Sequence, residues 1–434
     1  MNRLQLGDQV PYEFFEPKVG RFWLWLGRLY SRRFFLPKQQ KVMGVEASGL
    51  DALLPLFAKG DGVLIAPNHP DHADCGVMLE LGRRAGRAFY FMAAYQIFRG
   101  HAGMARFMLP RVGAFPVDRE GADLRAFKTA VDILARGGDP LVIFPEGEIY
   151  HVCDHLTPIR EGAAAVATTA AKRSAEAGRT VWVVPTAIKY RFLDGEDPIP
   201  ALGATMDRLE SWFTWWPRRG HALVDRIYAY AEGMLGLKEL EYFGAAQSGT
   251  IKGRIVALRD AILDRLEDRH FGKRRADPVP VRVKELRRAC LEGLADASTT
   301  PESADALRAD LNDVFVAVQL YSYPGDYLHQ GPTVERVAET IMKFEQDIVG
   351  ADPSPPAARR AIVAFGEPID VRARMAAHDR PRKAVASITA DLESRIQSML
   401  DAIGPGRPLE GPASARSPIV PRLRPAPPDP VLAR

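Results

Sequence analysis

The chain is poor in several things, and each shortage removes a class of protein. It has only three cysteines, Cys75, Cys153 and Cys290, odd in number and widely spaced. That excludes a disulfide framework and fits a reducing cytoplasm. No run of eighteen or more uncharged apolar residues occurs, so no transmembrane helix is expected. Residues 1–9 lack a basic region followed by an apolar core, so no secretory signal is read there. An excess of one charge is missing too: 58 basic residues against 54 acidic ones leave +4. That is too little to point to nucleic acid, and no aromatic-rich binding signature accompanies it. What remains is 434 residues, 47% hydrophobic and 26% charged, an ordinary globular composition with length for two or three domains.

Between Asp61 and Lys189, short apolar runs alternate with helical stretches. Residues 63–66, 88–92, 114–117, 141–144 and 181–188 read as strands, and 77–84, 124–135 and 162–177 as helices. This alternation predicts an α/β sheet, in which ligands gather where the strands end. After Tyr190 the pattern becomes helical. Ile251, Ile255, Leu258, Ile262 and Leu266 recur at three- and four-residue steps, as do Val334, Val337, Ile341, Phe344 and Ile348. A proline-rich linker around Pro353 and Pro355 precedes a returning strand at 362–365, and a last helix runs through Ile388, Leu392, Ile396 and Leu400. The expected organisation is therefore an amphipathic helical segment at 1–58 and an α/β domain formed by 59–199 with 360–403. A helical insertion at 200–359 and a disordered, proline-rich tail at 404–434 complete it.

The N-terminal segment mixes Phe22, Trp23, Trp25, Tyr30 and Phe34 with Arg21, Arg28, Arg32 and Arg33, which suits a helix lying in a lipid headgroup layer. A helix packed on the core reads equally well. A second cluster, Trp212, Phe213, Trp215 and Trp216, followed by Arg218 and Arg219, offers the same choice between an interfacial patch and core.

The densest chemistry lies in Asn68-His69-Pro70-Asp71-His72-Ala73-Asp74, directly after the strand at 63–66. Five residues of helix rotate about 140° past a full turn, so His69 and Asp74 do not share a face of one continuous helix. They meet only if the chain turns first, and Pro70 restricts His69 to extended or turn geometry. A base and its orienting carboxylate is one reading; a polar turn with Asp71 capping the next helix is the other. Three more segments follow strands: Gly113 to Arg119, which brings a guanidinium suited to phosphate, Phe144-Pro145-Glu146-Gly147, and Val184-Pro185.

In this order the four segments resemble the glycerolipid (lysophospholipid) acyltransferase family, with its N-H-x-x-x-x-D, G-x-x-F-x-x-R, F-P-E-G and V-P-x-x motifs. The resemblance spans about 60–190 and again 360–400. It implies a mostly parallel central sheet flanked by helices, of the glycerol-3-phosphate acyltransferase type, carrying a helical insertion. It also implies that His69 takes a proton from an acceptor hydroxyl while Asp74 orients the ring, and that no metal or cofactor takes part. Asn68, Arg119, Glu146 and Gly147 are the implied substrate-binding residues, Asn68 to shape the turn or the thioester site, Arg119 for a phosphate and the last two for glycerol hydroxyls. The implied co-substrate is acyl-CoA or an acyl carrier protein, and the implied acceptor is a lysophospholipid such as 1-acylglycerol-3-phosphate. The expected location is the cytoplasmic face of a membrane, held peripherally. One position departs from the family: Glu148 stands where threonine or serine is frequent, and a second carboxylate near a phosphate is repulsive unless paired or turned away.

Two competing readings remain. His69, Asp71, His72 and Asp74, with His151, Cys153 and His155, resemble a permuted ligand set for a metal-dependent hydrolase. A non-catalytic scaffold that binds acyl thioesters or lipids is the other, although such a binder has no need of a base and its partner.

Overall fold

The computed structural model describes residues 12–99, 103–118, 123–296, 298–329, 331–350 and 353–410. It opens with α1 (Arg21–Tyr30), which continues as a π-helical stretch, Ser31–Gln39, and then β1 (Val42–Ser48). The strand corrects the expectation of a wholly helical N-terminal segment. It pairs in parallel with a strand more than 300 residues away, and of its seven residues only Val42 is buried. An edge strand with that exposure has no apolar alternation to read.

The sheet is built next, one strand and one helix at a time. After α2 (Leu54–Lys59) comes β2 (Gly62–Pro67), buried along its whole length, then α3 (Asp74–Arg84). β3 (Tyr90–Ala94), α4 (Met104–Arg111), β4 (Ala114–Val117), α5 (Leu124–Arg136), β5 (Leu141–Val142), α6 (Gly162–Ser174) and β6 (Val181–Phe192) follow. β2 lies between β5 and β6 and runs parallel to both, and β3 and β4 extend the sheet beyond β5 in the same sense. Strands buried on both faces read as continuous apolar runs, which is why 63–66 and 181–188 stand out in the sequence. The Asp123 carboxylate caps α5 by accepting the Ala126 N–H at 2.8 Å. From there Ala126, Ala130, Val131, Ile133 and Leu134 face the core.

The chain then leaves the sheet for six helices, α7 (Ile199–Trp212), α8 (Leu223–Phe243), α9 (Ile251–Phe271), α10 (Val279–Ala295), α11 (Pro301–Tyr321) and α12 (Val334–Val349). It comes back as β7 (Arg359–Phe365), antiparallel on β6 and parallel to β1, and closes with β8 (Ile369–Asp370), α13 (Val371–Ala376) and α14 (Pro381–Ile403). The eight-stranded sheet is thus mostly parallel and flanked by helices, with the insertion between β6 and β7. Within the insertion, Leu258, Ile262, Leu266, Leu286 and Val314 form one apolar core, and Met206, Leu209, Tyr230, Ile341 and Phe344 another. Of the tryptophan cluster, Trp215 packs edge-on against Tyr230, while Trp212 and Trp216 are exposed.

The insertion is fastened to the domain by a buried carboxylate. Asp154 accepts from Lys189 Nζ of β6 at 2.5 Å and from Arg336 Nε of α12 at 2.7 Å. Residues 404–410 pack against the same helix: Val334 N–H donates to Arg407 O at 2.8 Å, and Arg407 N–H to Glu335 Oε2 at 2.8 Å. The expected disordered tail therefore does not begin at Gly404; residues 411–434 lie outside those described. Removing the shared acceptor leaves two cations uncompensated, and breaking a buried pair costs about 3–5 kcal/mol. Asp154→Leu is expected to lower unfolding free energy by that order in a urea titration, while Lys172→Ala, on an exposed turn of α6, changes it by less than about 0.5 kcal/mol.

Candidate active site

The site stands at the carboxyl ends of β5, β2 and β6, three neighbours in the sheet. Beyond the last β2–β6 pair, Pro67 with Thr186, the two strands diverge, and the N–H and C=O of Ile188 would face no backbone partner on that side. Asn68 fills the gap. Its amide donates to Ile188 O at 3.0 Å and its carbonyl oxygen accepts the Ile188 N–H at 2.6 Å, so the side chain extends the ladder by one peptide. Asn68 is 1% exposed, and its amide nitrogen and oxygen are both bonded to the strand.

The chain then turns through Pro70, and α3 starts at Asp74. His69 Nδ1 lies 2.8 Å from Asp74 Oδ2, which also accepts the Asp71 N–H at 3.0 Å. The Tyr190 hydroxyl, on β6, donates to Asp74 Oδ1 at 2.5 Å. Burial raises the Asp74 carboxyl above its ordinary range, and the His69 and Tyr190 bonds oppose that rise. With Nδ1 directed at the carboxylate, the lone pair of a neutral imidazole sits on Nε2. The ring stacks on Phe144, centroids 4.0 Å apart, and the side chain stays 15% exposed.

Asp71 does not cap α3. Its Oδ1 accepts the Ala73 N–H at 2.9 Å in a local turn, and both oxygens are gripped by Arg359, the first residue of β7, at 2.7 and 2.8 Å. Burial would raise the Asp71 carboxyl, but Arg359 more than reverses this and holds it at about 2. The guanidinium also lies over the Tyr190 ring, 4.4 Å from its centroid. One arginine therefore braces both the turn and the tyrosine that binds Asp74.

Glu146 reaches across from the end of β5. Its Oε1 accepts the His69 N–H at 2.6 Å, and its Oε2 accepts from the Thr157 N–H at 3.1 Å and from the Thr157 hydroxyl. Both oxygens are engaged inside the protein, and the residue is 4% exposed. It pins the histidine backbone. Burial raises its carboxyl, opposed by the Thr157 and His69 bonds. Gly147 turns the chain with φ +80°, and a Cβ there would come within 2.8 Å of Arg160 Nε. Arg119 lies outside the described residues.

The structure therefore brings His69, Asp74, Glu146 and Asn68 together around one turn. Two contributors, Tyr190 and Arg359, were not picked out from sequence; the only signal was an arginine opening the returning strand. The metal-ligand alternative does not assemble, because Asp71 is spent on Arg359 and Asp74 on His69 and Tyr190. His151 is likewise turned to Gln346, and His155 stacks edge-on against Tyr327. Among the described residues, the group whose ligand atoms lie within 4.8 Å of one another is His270, Cys290 and Asp310, in the insertion, where Arg269 already holds Asp310.

The mostly parallel sheet thus carries this histidine–carboxylate pair at its strand ends. Residues 45–189 match the family model described as Acyltransferase, that of 1-acyl-sn-glycerol-3-phosphate acyltransferases and related glycerolipid acyltransferases. No curated protein matches the chain.

The Asp71–Arg359 pair sets a pH dependence. Because the folded carboxyl lies at about 2, below the ordinary 3.8, its stabilisation is complete above about pH 4 and lost as pH falls through 2. Arg359→Met is expected to cost about 3–5 kcal/mol at pH 7. Thermal melts of both proteins between pH 7 and 2 should show that gap closing only below about pH 4.

Proposed function

We propose that this chain transfers a fatty acyl group from a thioester, acyl-CoA or acyl carrier protein, to a glycerolipid hydroxyl, with 1-acylglycerol-3-phosphate as the acceptor. The observation that carries the reading is the 2.8 Å contact between His69 Nδ1 and Asp74, in a ring whose other nitrogen is left to act as base. His69 Nε2 takes the acceptor's hydroxyl proton as the oxygen attacks the thioester carbonyl. Asp74 stabilises the imidazolium that forms. The tetrahedral intermediate then collapses with loss of the C–S bond, and the leaving thiolate takes the proton back from His69. Glu146 and Tyr190 act as positioning residues, the first on the histidine backbone and the second on the carboxylate. The substrate's hydroxyl takes the place of the serine in a hydrolase triad, so neither an acyl-enzyme nor a metal enters the scheme.

General-base removal costs about 10²–10⁴ in rate. His69→Ala should therefore lose at least a hundredfold in kcat, measured by lipid mass spectrometry with labelled acyl-CoA and a mixed lysolipid panel, with its melting temperature little changed. A fully active His69→Ala protein would overturn the mechanism.

We also propose peripheral attachment to a membrane face. No helix among the described residues is long and apolar enough to cross a bilayer. Phe22, Trp25, Tyr30 and Phe34 are all more than half exposed, and Arg21, Arg32 and Arg33 are exposed beside them. The patch extends across the Trp23–Phe107 edge contact to exposed Met104 on α4. An apolar face rimmed by arginines suits an anionic lipid interface. Trp25→Glu with Phe34→Glu should reduce co-sedimentation with anionic vesicles at least tenfold; unchanged sedimentation would refute the attachment.

A further inference from the structure

Where the insertion meets the residues that follow Phe-Pro-Glu-Gly there is a cleft open to solvent. From the domain it is lined by Glu148, Tyr150 and Arg160, and from the insertion by Lys284, Arg287 and Tyr321. We propose that this cleft binds a phosphate ester, so that the insertion completes a substrate site.

Three observations support it. The first is charge: among the residues that line the cleft, three are cations and one is a carboxylate. The second is unmet donor capacity. Arg160 Nε is buried and finds no acceptor among the described residues, although an orphaned N–H of this kind is costly. Lys284 makes no ion pair among the described residues, and it is only partly exposed. A phosphate oxygen would give the Lys284 ammonium an acceptor, and the neighbouring Arg160 guanidinium suits it in shape as well as charge. The third is placement. Val283, Lys284 and Arg287 follow one another on α10 at steps of one and three, with Pro280 four residues before Lys284, so one face of α10, beside Val318 and Tyr321 of α11, forms the insertion's side of the cleft.

The cleft is also next to the chemistry. Arg160 packs against Gly147, one residue from Glu146, and Glu146 holds the His69 backbone. An anion seated on Arg160 and Lys284 would therefore lie on the Glu146 side of the His69 turn. Glu148, the departure from the family pattern, is one wall of this cleft. There α10 brings cations that the domain's own motif lacks: Ile149 and Tyr150, the two residues after Glu148, are uncharged.

That the ligand is a substrate rests on the acyl-transfer reading; that the cleft binds phosphate does not. The acceptor's headgroup and the donor's coenzyme A both carry the chemistry, so calorimetric titrations use glycerol 3-phosphate, coenzyme A and inorganic phosphate separately. The proteins compared are wild type, Lys284→Glu and Lys284→Arg. The expected result is at least a tenfold loss of affinity for glycerol 3-phosphate or coenzyme A in Lys284→Glu, with Lys284→Arg within threefold of wild type. Whichever ligand responds identifies the source. Affinities that ignore Lys284→Glu, or that Lys284→Arg loses equally, overturn the site. Binding that depends on Lys284 in a protein inactive toward every lysolipid would uphold the cleft and defeat the acyl-transfer reading alone.

Discussion

The Asp74 carboxylate governs the architecture around it. It is a desolvated anion at the first turn of a helix, and it survives there because three donors converge on two oxygens: an imidazole, a phenol and a backbone N–H. Two come from the loop after β2, at His69 and Asp71, and the third from the strand β6. None can move without leaving a buried acceptor short of partners, which in a low-dielectric setting costs more than the bond itself contributes in water. The sheet order matters for this reason. β6 must lie beside β2 for Tyr190 to reach Asp74, and β5 must lie on the other side for Glu146 to reach the His69 N–H. Rearranging the strands would leave the same residues present and the site absent.

The insertion looks at first like an interruption between β6 and β7. Physically it is held at both ends. Arg359 opens β7 and is fixed by Asp71, so the strand that ends the insertion is the one that braces the His69 turn. Asp154 joins β6 to α12 by a second buried ionic contact. The entropy of closing a long loop grows only with the logarithm of its length, so a folded excursion of this size is tolerated provided its ends are anchored. Here the anchors are charges buried against the active domain, and the insertion's position is coupled to the geometry of the base.

Much of this was legible from the residues alone, and the rest has specific reasons for its silence. Fully buried parallel strands betray themselves as apolar runs, so β2, β4 and β6 were readable, as were the amphipathic helices α9 and α12. β1 was not, because its faces are mostly exposed and its partner lies beyond the insertion. The His69–Asp74 contact was foreseeable from Pro70 and the five-residue spacing. That Asn68 shapes the turn was open from the start, but its pairing with the Ile188 peptide was not, because a strand 120 residues on supplies the partner. Nor was the engagement of both Glu146 oxygens inside the protein, by His69 and Thr157. Tyr190 and Arg359 act over separations that no local pattern encodes.

Glu146 and Glu148 illustrate how two carboxylates one residue apart can have unrelated lives. Gly147 between them has a positive φ, which swings the chain so that Glu146 turns toward the base and Glu148 toward the insertion. Left alone, Glu148 would repel an anionic acceptor. α10 changes that balance by placing Lys284 and Arg287 on the same cleft, so the local charge is net positive despite the glutamate. A carboxylate among cations also discriminates: it favours an anion that seats on Arg160 and Lys284 at a distance from it and penalises one that approaches closely. Selection of the substrate's charged group would then be a property of the interface between domain and insertion, and loss of either side would remove it.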